Sequence, residues 1–466
     1  MKYLLLLSFF AVDLLARPNV LFIAVDDLRD WVGHLGGHPN SKTPNIDRLA
    51  KRGVSFTRAY CSAPLCNPSR ISLLTGVAPY NSGVYGNGEK LRDKLPDAVT
   101  LMQYFRASGY SVRGAGKIFH GTSAYDQDSW DAYFNPTPSS RPRDKTDKVL
   151  PKSAWAPWGP LDCYDSEMFD GKTADWVISE LKKPQKKPFF IAYGLTKPHL
   201  PWKVPKKYFD LHPLAGVELP PVRKGDLDDL PAFGKKLARE VYDPSGERNF
   251  AVKPDGDHAN VTSNKQWRKA IQAYLATISF ADAQIGRVLD ALDRSVHANN
   301  TIVVLWGDHG WHLGEKEHWR KHALWEVSTR TPLVFSAPVK VTRNPQGLGK
   351  DKLCHSPVSL IDIYPTLIDL CGLPKRKGLD GQSLMPLLRN PEVKWERPVV
   401  ITYGLNNHAV QMGSWRYIQY NDGGQELYDH DHDPNEWTNL ASICKYSPLK
   451  SKFSKWLPAA KLEPKK

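Results

Sequence analysis

The chain has 466 residues, of which 41% are hydrophobic, and a formal net charge of +14. That length exceeds what one hydrophobic core usually serves, so a large domain with a smaller companion is expected. The charge suits nucleic acid, an anionic membrane or an acidic polysaccharide and does not by itself choose; there is no zinc-finger spacing and no long run of like charge, and export would favour the polysaccharide over nucleic acid.

Residues 1–16 combine a positive start, an apolar core and a small exit residue, the pattern of a signal peptide cut after Ala16. The segment is too short to span a bilayer as a mature helix, and no later segment reads as a membrane span. Export to a periplasmic or extracellular location is the expectation. Six cysteines (Cys61, Cys66, Cys163, Cys354, Cys371 and Cys444) are too few for a disulfide scaffold.

Residues 19–24 are almost wholly apolar, as in a strand buried on both faces, and run into Val25-Asp26-Asp27. Thr43 as N-cap and Pro44 at the first position predict a helix over 44–51. Cys66-Asn67-Pro68-Ser69-Arg70 follows, with Pro-Ser in a helix-opening position. A helix is predicted over 100–107 and a strand over 111–114, followed directly by Gly116-Lys117-Ile118-Phe119-His120. A strand over 189–193 precedes Lys197-Pro198-His199, and a strand over 301–305 precedes Asp308-His309. Between them, 265–292 carries the strongest helical periodicity. Residues 136–158 and 220–257 read as long loops beside a cleft.

Strands alternating with helices predict an α/β/α sandwich around a large, mostly parallel sheet, with its site at the carboxyl ends of the strands. After a last helix over 361–373 the texture changes to short antiparallel strands at 398–403 and 415–420, with a turn at Asp422-Gly423-Gly424. This divides the chain into 17–375 and a C-terminal α+β subdomain, 376–466.

Asp26, Asp27, Asp308 and His309 come from the ends of two predicted strands, and converging carboxylates repel without a cation. Oxygen-rich ligation favours a hard divalent ion such as calcium or magnesium. Lys117, His120, His199 and Lys321 add what a sulfate monoester needs: cations for its oxygens and a proton donor for the leaving alcohol. The loops around residues 85–88, Trp202 and Trp311 are expected to set substrate specificity.

These motifs, together with Thr43-Pro44-Asn45-Ile46-Asp47-Arg48 and Asp308-His309-Gly310-Trp311-His312-Leu313-Gly314-Glu315, resemble those of formylglycine-dependent sulfatases of the alkaline-phosphatase-like superfamily. His309 marks the iduronate-2-sulfatase type, since most sulfatases carry Asn there. The resemblance implies that Cys66 is converted to formylglycine by a formylglycine-generating enzyme. It implies that Asp26, Asp27, Asp308, His309 and residue 66 hold one calcium ion and that Arg70 steadies the aldehyde hydrate. It further implies that Lys117, His120, His199 and Lys321 bind sulfate or act as acid and base. An aldehyde hydrate offers sulfur a hard oxygen where a thiol is soft. Val77 departs from the family, which often continues Leu-Thr-Gly-Arg. The implied substrate is a 2-O-sulfated uronic acid in a sulfated carbohydrate. The alternatives are algal galactan or fucan sulfates, a phosphodiester or phosphonate, and binding of sulfated glycan without catalysis.

Overall fold

A computed structural model of the chain describes residues 17–121, 125–136, 158–240, 256–342, 348 and 351–459. The predicted signal segment and most of the predicted 136–158 loop lie outside them. Asn19–Val25 is a strand with every residue buried, because alternate side chains serve opposite layers. Val20, Phe22 and Ala24 enter one core, and Leu21, Ile23 and Val25 the other. It pairs in parallel with Phe189–Leu195 on one side and Thr301–Gly307 on the other. Ser111–Gly116 and then Ala132–Phe134 continue the sheet in parallel. Beyond Thr301–Gly307, Leu333–Ser336 runs antiparallel, followed by Val54–Phe56 and Lys352–Cys354, which completes eight strands.

The first core is covered by Cys66–Thr75, Leu101–Ala107 and Ile363–Leu370. The second is covered by Pro44–Ala50, Phe169–Lys182 and the 27-residue helix Trp267–Asp293. The architecture is therefore the predicted α/β/α sandwich with a mostly parallel sheet. A four-stranded antiparallel sheet, Val399–Thr402, His408–Met412, Trp415–Gln419 and Gln425–Asp429, follows near the C-terminus. Ile401, Ala409, Ile418 and Tyr428 join the first core, so one face of this sheet packs on that core. Its other face, with Val410, Tyr417 and Leu427, is closed by Phe453 from the helix Ser447–Ser454.

Several local expectations shift. Thr43 stands at the N-cap but its hydroxyl does not cap the helix; it accepts from Gly33 N at 2.8 Å and faces Asp47 Oδ1 at 3.2 Å. Asp282 of the long helix instead takes the amides of Asn45 and Ile46, at 3.0 and 2.8 Å, so a tertiary carboxylate does the work of the local cap. The loop over 220–257 contains a helix, Ala232–Ala238. The predicted last helix is a 3-10 turn, Leu360–Asp362, joined to Ile363–Leu370. Among the described residues no helix is long and apolar enough to cross a membrane.

Candidate active site

Three parallel strands end on one spot. Asp26 and Asp27 follow the strand Asn19–Val25, Lys197 and His199 follow Phe189–Leu195, and Asp308 and His309 follow Thr301–Gly307. Asp27 has φ 59°, a left-handed backbone that turns its side chain back over the strand end. Two bonds secure it: its N–H donates to Asp308 Oδ1 at 2.9 Å, and its carbonyl accepts from Tyr274 Oη at 2.7 Å.

Cys66 is the first residue of the helix Cys66–Thr75. Pro68 is harmless in that first turn, where its missing N–H has no intrahelical partner to lose. Gly76 ends the helix at φ 74°. Cys66 Sγ lies 3.3 Å from His309 Nε2, 3.8 Å from Asp27 Oδ1 and 2.9 Å from Lys321 Nζ. Burial alone would raise its thiol, but Lys117 and Lys321 outweigh that and hold it below the usual range.

Arg70, one turn along the same helix, is fully buried. Its Nε reaches Asp308 Oδ2 at 2.8 Å, its Nη2 reaches Asp26 Oδ1 at 3.0 Å, and its Nη1 donates to the carbonyls of Lys117 and Ile118 at 2.7 and 2.9 Å. Lys117 also pairs with Asp26, and Lys321 Nζ donates to Asp27 Oδ1 at 2.8 Å. Despite burial, Lys117, His199 and Arg70 hold the Asp26 carboxyl well below its usual range, whereas burial raises that of Asp27.

The three carboxylates converge as expected, and they also meet cations of the chain itself. Arg70, Lys117 and Lys321 already match Asp26, Asp27 and Asp308 charge for charge. What argues for an ion is the donor geometry. Asp27 Oδ2 is buried and accepts no hydrogen bond from any described residue. His309 Nδ1 sits 2.9 Å from the Gly310 carbonyl, which aims Nε2 at Asp27 Oδ1, 3.3 Å away; despite burial, Asp308 and Cys66 raise the metal-free imidazole to about 9, and a bound ion would take the place of the Nε2 proton. Ligand atoms of Asp27, Cys66, Asp308 and His309 lie within 4.8 Å of one another, and Asp26, Asp27, Cys66 and His199 form an overlapping set. A divalent ion held by this set would add positive charge beside Lys117 and Lys321, the right sign for an anionic ester.

The remaining predicted residues border a cavity of about 470 Å³ lined by Asp26, Lys117, His120 and His199 and, further out, by Leu161, Phe169 and Lys203. His199 Nε2 stands 3.8 Å from Asp27 Oδ2, while its Nδ1 is spent on the Leu200 carbonyl at 2.6 Å. Burial, assisted by Lys117, brings His120 down to about 4, and burial likewise brings His199 to about 4, so both imidazoles are neutral near pH 7. His120 Nδ1 is buried with no hydrogen-bond partner among the described residues. Trp311 lies beside the site, its ring 5.3 Å from Lys321 Nζ.

Sequence reasoning missed the supports. Ser69 Oγ donates to the Asp308 carbonyl at 2.6 Å. Asp170 accepts from Thr196 N, Thr196 Oγ1 and Lys197 N at 2.8, 2.8 and 2.9 Å, which anchors the turn carrying His199. Asn67 grips residues 86–89 by donating to the carbonyls of Gly86 and Glu89 at 2.9 and 2.8 Å. None of these partners is a sequence neighbour, and Ser, Asp and Asn in a helix's first turn look like ordinary caps.

Comparison with known proteins bears on this geometry. The family described as Sulfatase matches residues 18–373, and that described as N-sulphoglucosamine sulphohydrolase, C-terminal, matches 314–463. A sulfatase of Formosa agariphila is 41% identical, covering 92% of this chain and 84% of the relative. Iduronate 2-sulfatase of Homo sapiens is 32% identical, covering 76% of this chain and 69% of the relative. The phosphonate monoester hydrolase of Agrobacterium radiobacter shares the architecture, with a TM-score of 0.76 at 22% identity over 94% of both chains.

Proposed function

Because this chain belongs to the sulfatase family and is therefore a sulfuric ester hydrolase acting on sulfated carbohydrate, we propose that its substrate is the 2-O-sulfate of a uronic acid. The observation that carries the catalytic part of this reading is the convergence of Cys66, Arg70, Lys117 and Lys321 on Asp26, Asp27, Asp308 and His309. The uronic-acid part rests on His309 and on the similarity to iduronate 2-sulfatase.

In this reading Cys66 is converted to formylglycine, whose hydrate supplies the oxygen nucleophile, and Asp26, Asp27, Asp308, His309 and residue 66 hold the ion. Calcium, when bound, supplies a Lewis acid that acidifies the nucleophile and neutralises sulfate oxygens. Lys321, already 2.9 Å from the residue 66 side chain, and Lys117 neutralise the ester's oxygens as charge shifts toward the leaving group. His199, on the cavity side, keeps Nδ1 on the Leu200 carbonyl and presents Nε2 to the leaving alcohol; neutral in the free enzyme, it serves as proton donor from the imidazolium form that a bound anionic ester favours. His120, neutral and open at Nδ1, takes the proton from the second hydroxyl of residue 66 when sulfate is expelled. The leader pattern of residues 1–16 supports an exported enzyme.

Sulfate release should be screened on defined heparin, dermatan, carrageenan and fucan oligosaccharides, with aryl phosphodiesters in parallel, using protein whose conversion at position 66 is verified by mass. Release from 2-O-sulfated uronic acids is expected. No release from any of them would remove the polysaccharide reading, and a preference for phosphodiesters would replace it.

The acid assignment makes its own prediction. In His199→Gln, turnover of a sugar sulfate should fall by roughly 100-fold or more, while an aryl sulfate with an acidic phenol, which leaves unprotonated, falls far less. Equal losses on both substrates would show that the donor is another group.

A further inference from the structure

The backbone around Lys321 is strained. Lys316, Glu317, Arg320 and His322 are non-glycine residues at φ 54°, 52°, 77° and 83°, and Lys321 stands between the last two. Such a run persists only where its surroundings over-determine it, and the surroundings come largely from the C-terminal sheet. Arg416 donates to the Leu324 carbonyl at 2.7 Å. Glu436 takes the amide of Glu326 at 2.9 Å on one oxygen and faces Arg416 Nε at 2.9 Å with the other. Glu426 accepts from Trp325 Nε1 at 2.7 Å, from Tyr428 Oη at 2.7 Å and from Tyr420 Oη at 2.8 Å. At the other end of the strap Lys316 reaches Asp226 Oδ1 at 3.0 Å and the Glu436 carbonyl, and its ammonium lies over the rings of Trp325 and Tyr428.

Arg416, Glu426, Glu436 and Trp325 are all buried. A buried network with its partners in place resists displacement, because moving one member strands charges on the others. Nothing in this network touches the catalytic cavity, and its members would be read one by one as core polar residues. Together they grip the three residues, 324–326, that close the strap a few positions beyond Lys321. From the near side the same strap is held by His318 Nε2 against the Lys321 carbonyl at 2.9 Å and by His322 N on the Pro64 carbonyl at 3.1 Å.

We propose that the C-terminal sheet is a positioning element for catalysis, and that its Glu426–Trp325–Tyr428 contact holds the strap in the conformation that delivers Lys321 to residue 66. The proposal rests on the reading of Lys321 as a group that contacts the sulfate ester. Trp325 and Tyr428 are positioning residues and act only through Lys321.

A double-mutant cycle on the full, converted enzyme tests this. Trp325→Phe keeps the ring and loses the N–H donor; Tyr428→Phe loses a hydroxyl and serves if the first variant folds poorly. Each is expected to lower kcat by about 10-fold with KM within about twofold and an unchanged circular dichroism spectrum. In a Lys321→Ala background, whose residual activity is read with an aryl sulfate, the same substitution should cost nothing more. Full activity in both phenylalanine variants, or a loss that adds fully to that of Lys321→Ala, overturns the proposal. Full activity in Lys321→Ala itself would instead remove the catalytic reading of that lysine.

Discussion

Cys66→Ala should abolish sulfate ester hydrolysis, lowering kcat/KM by about 10⁴-fold or more, the scale seen when a catalytic nucleophile is removed. The thiol side chain is fully buried at the start of its helix, and alanine fits that space without strain, so the loss is one of chemistry and not of folding. Protein made without a formylglycine-generating enzyme should be equally inactive while keeping the same fold. Its thiol, held below the usual range by Lys117 and Lys321, is deprotonated readily, yet a soft sulfur nucleophile attacking sulfate has no second hydroxyl with which to release the product. The measurement is activity against the fraction of chains carrying the aldehyde at position 66. Activity proportional to that fraction is expected; full activity in the unconverted thiol protein would sink the mechanism. The same titration settles whether Val77, in place of the usual arginine, limits conversion.

Arg70→Leu is expected to carry the largest cost in stability. Its guanidinium is fully buried and is shared between Asp26 and Asp308, with its remaining donors on the carbonyls of Lys117 and Ile118. Removing one partner of a buried ion pair costs about 3–5 kcal/mol, because the carboxylates left behind keep their desolvation penalty and lose their counter-charge. For a protein of this size that corresponds to a fall of roughly 3–5 °C in the unfolding temperature, read at fixed scan rate. A divalent ion at the site would offset part of the exposed negative charge, so millimolar calcium should raise the unfolding temperature of the variant more than that of the parent. Arg70→Lys should recover little of the loss, since an ammonium cannot reproduce the planar fork that spans two carboxylates. An unfolding temperature within about 2 °C of the parent in Arg70→Leu would show that the pairs are not what holds the site together.

Much of the site is legible because it obeys a local rule. A wholly apolar run such as Asn19–Val25 must be a strand covered on both faces, and acids at its carboxyl end have nowhere to go but a site. The same rule finds Asp308 and His309 after Thr301–Gly307, and His199 after Phe189–Leu195. Short strands escape it. Val54–Phe56, Ala132–Phe134 and Lys352–Cys354 have three residues each, too few for periodicity to register, and they exist because a neighbouring strand offers an edge. The pairing inside the centre escapes it for a related reason: Asp26 and Asp27 are neighbours in sequence, whereas Asp308 and the Arg70, Lys117 and Lys321 that answer the acids arrive from four other segments.

The order of residues alone was enough to specify an α/β/α sandwich and to single out Cys66 and the acids that the fold brings beside it, since each follows from hydrophobic period or from chemistry confined to a few neighbouring positions. The fork of Arg70, the Asp282 cap, the grip of Asn67 on its loop and the left-handed strap under Lys321 were decided only by the folded chain. Their partners lie tens to hundreds of positions apart, and it is burial that turns each of those distant pairings from a weak solvated contact into one that the structure cannot give up.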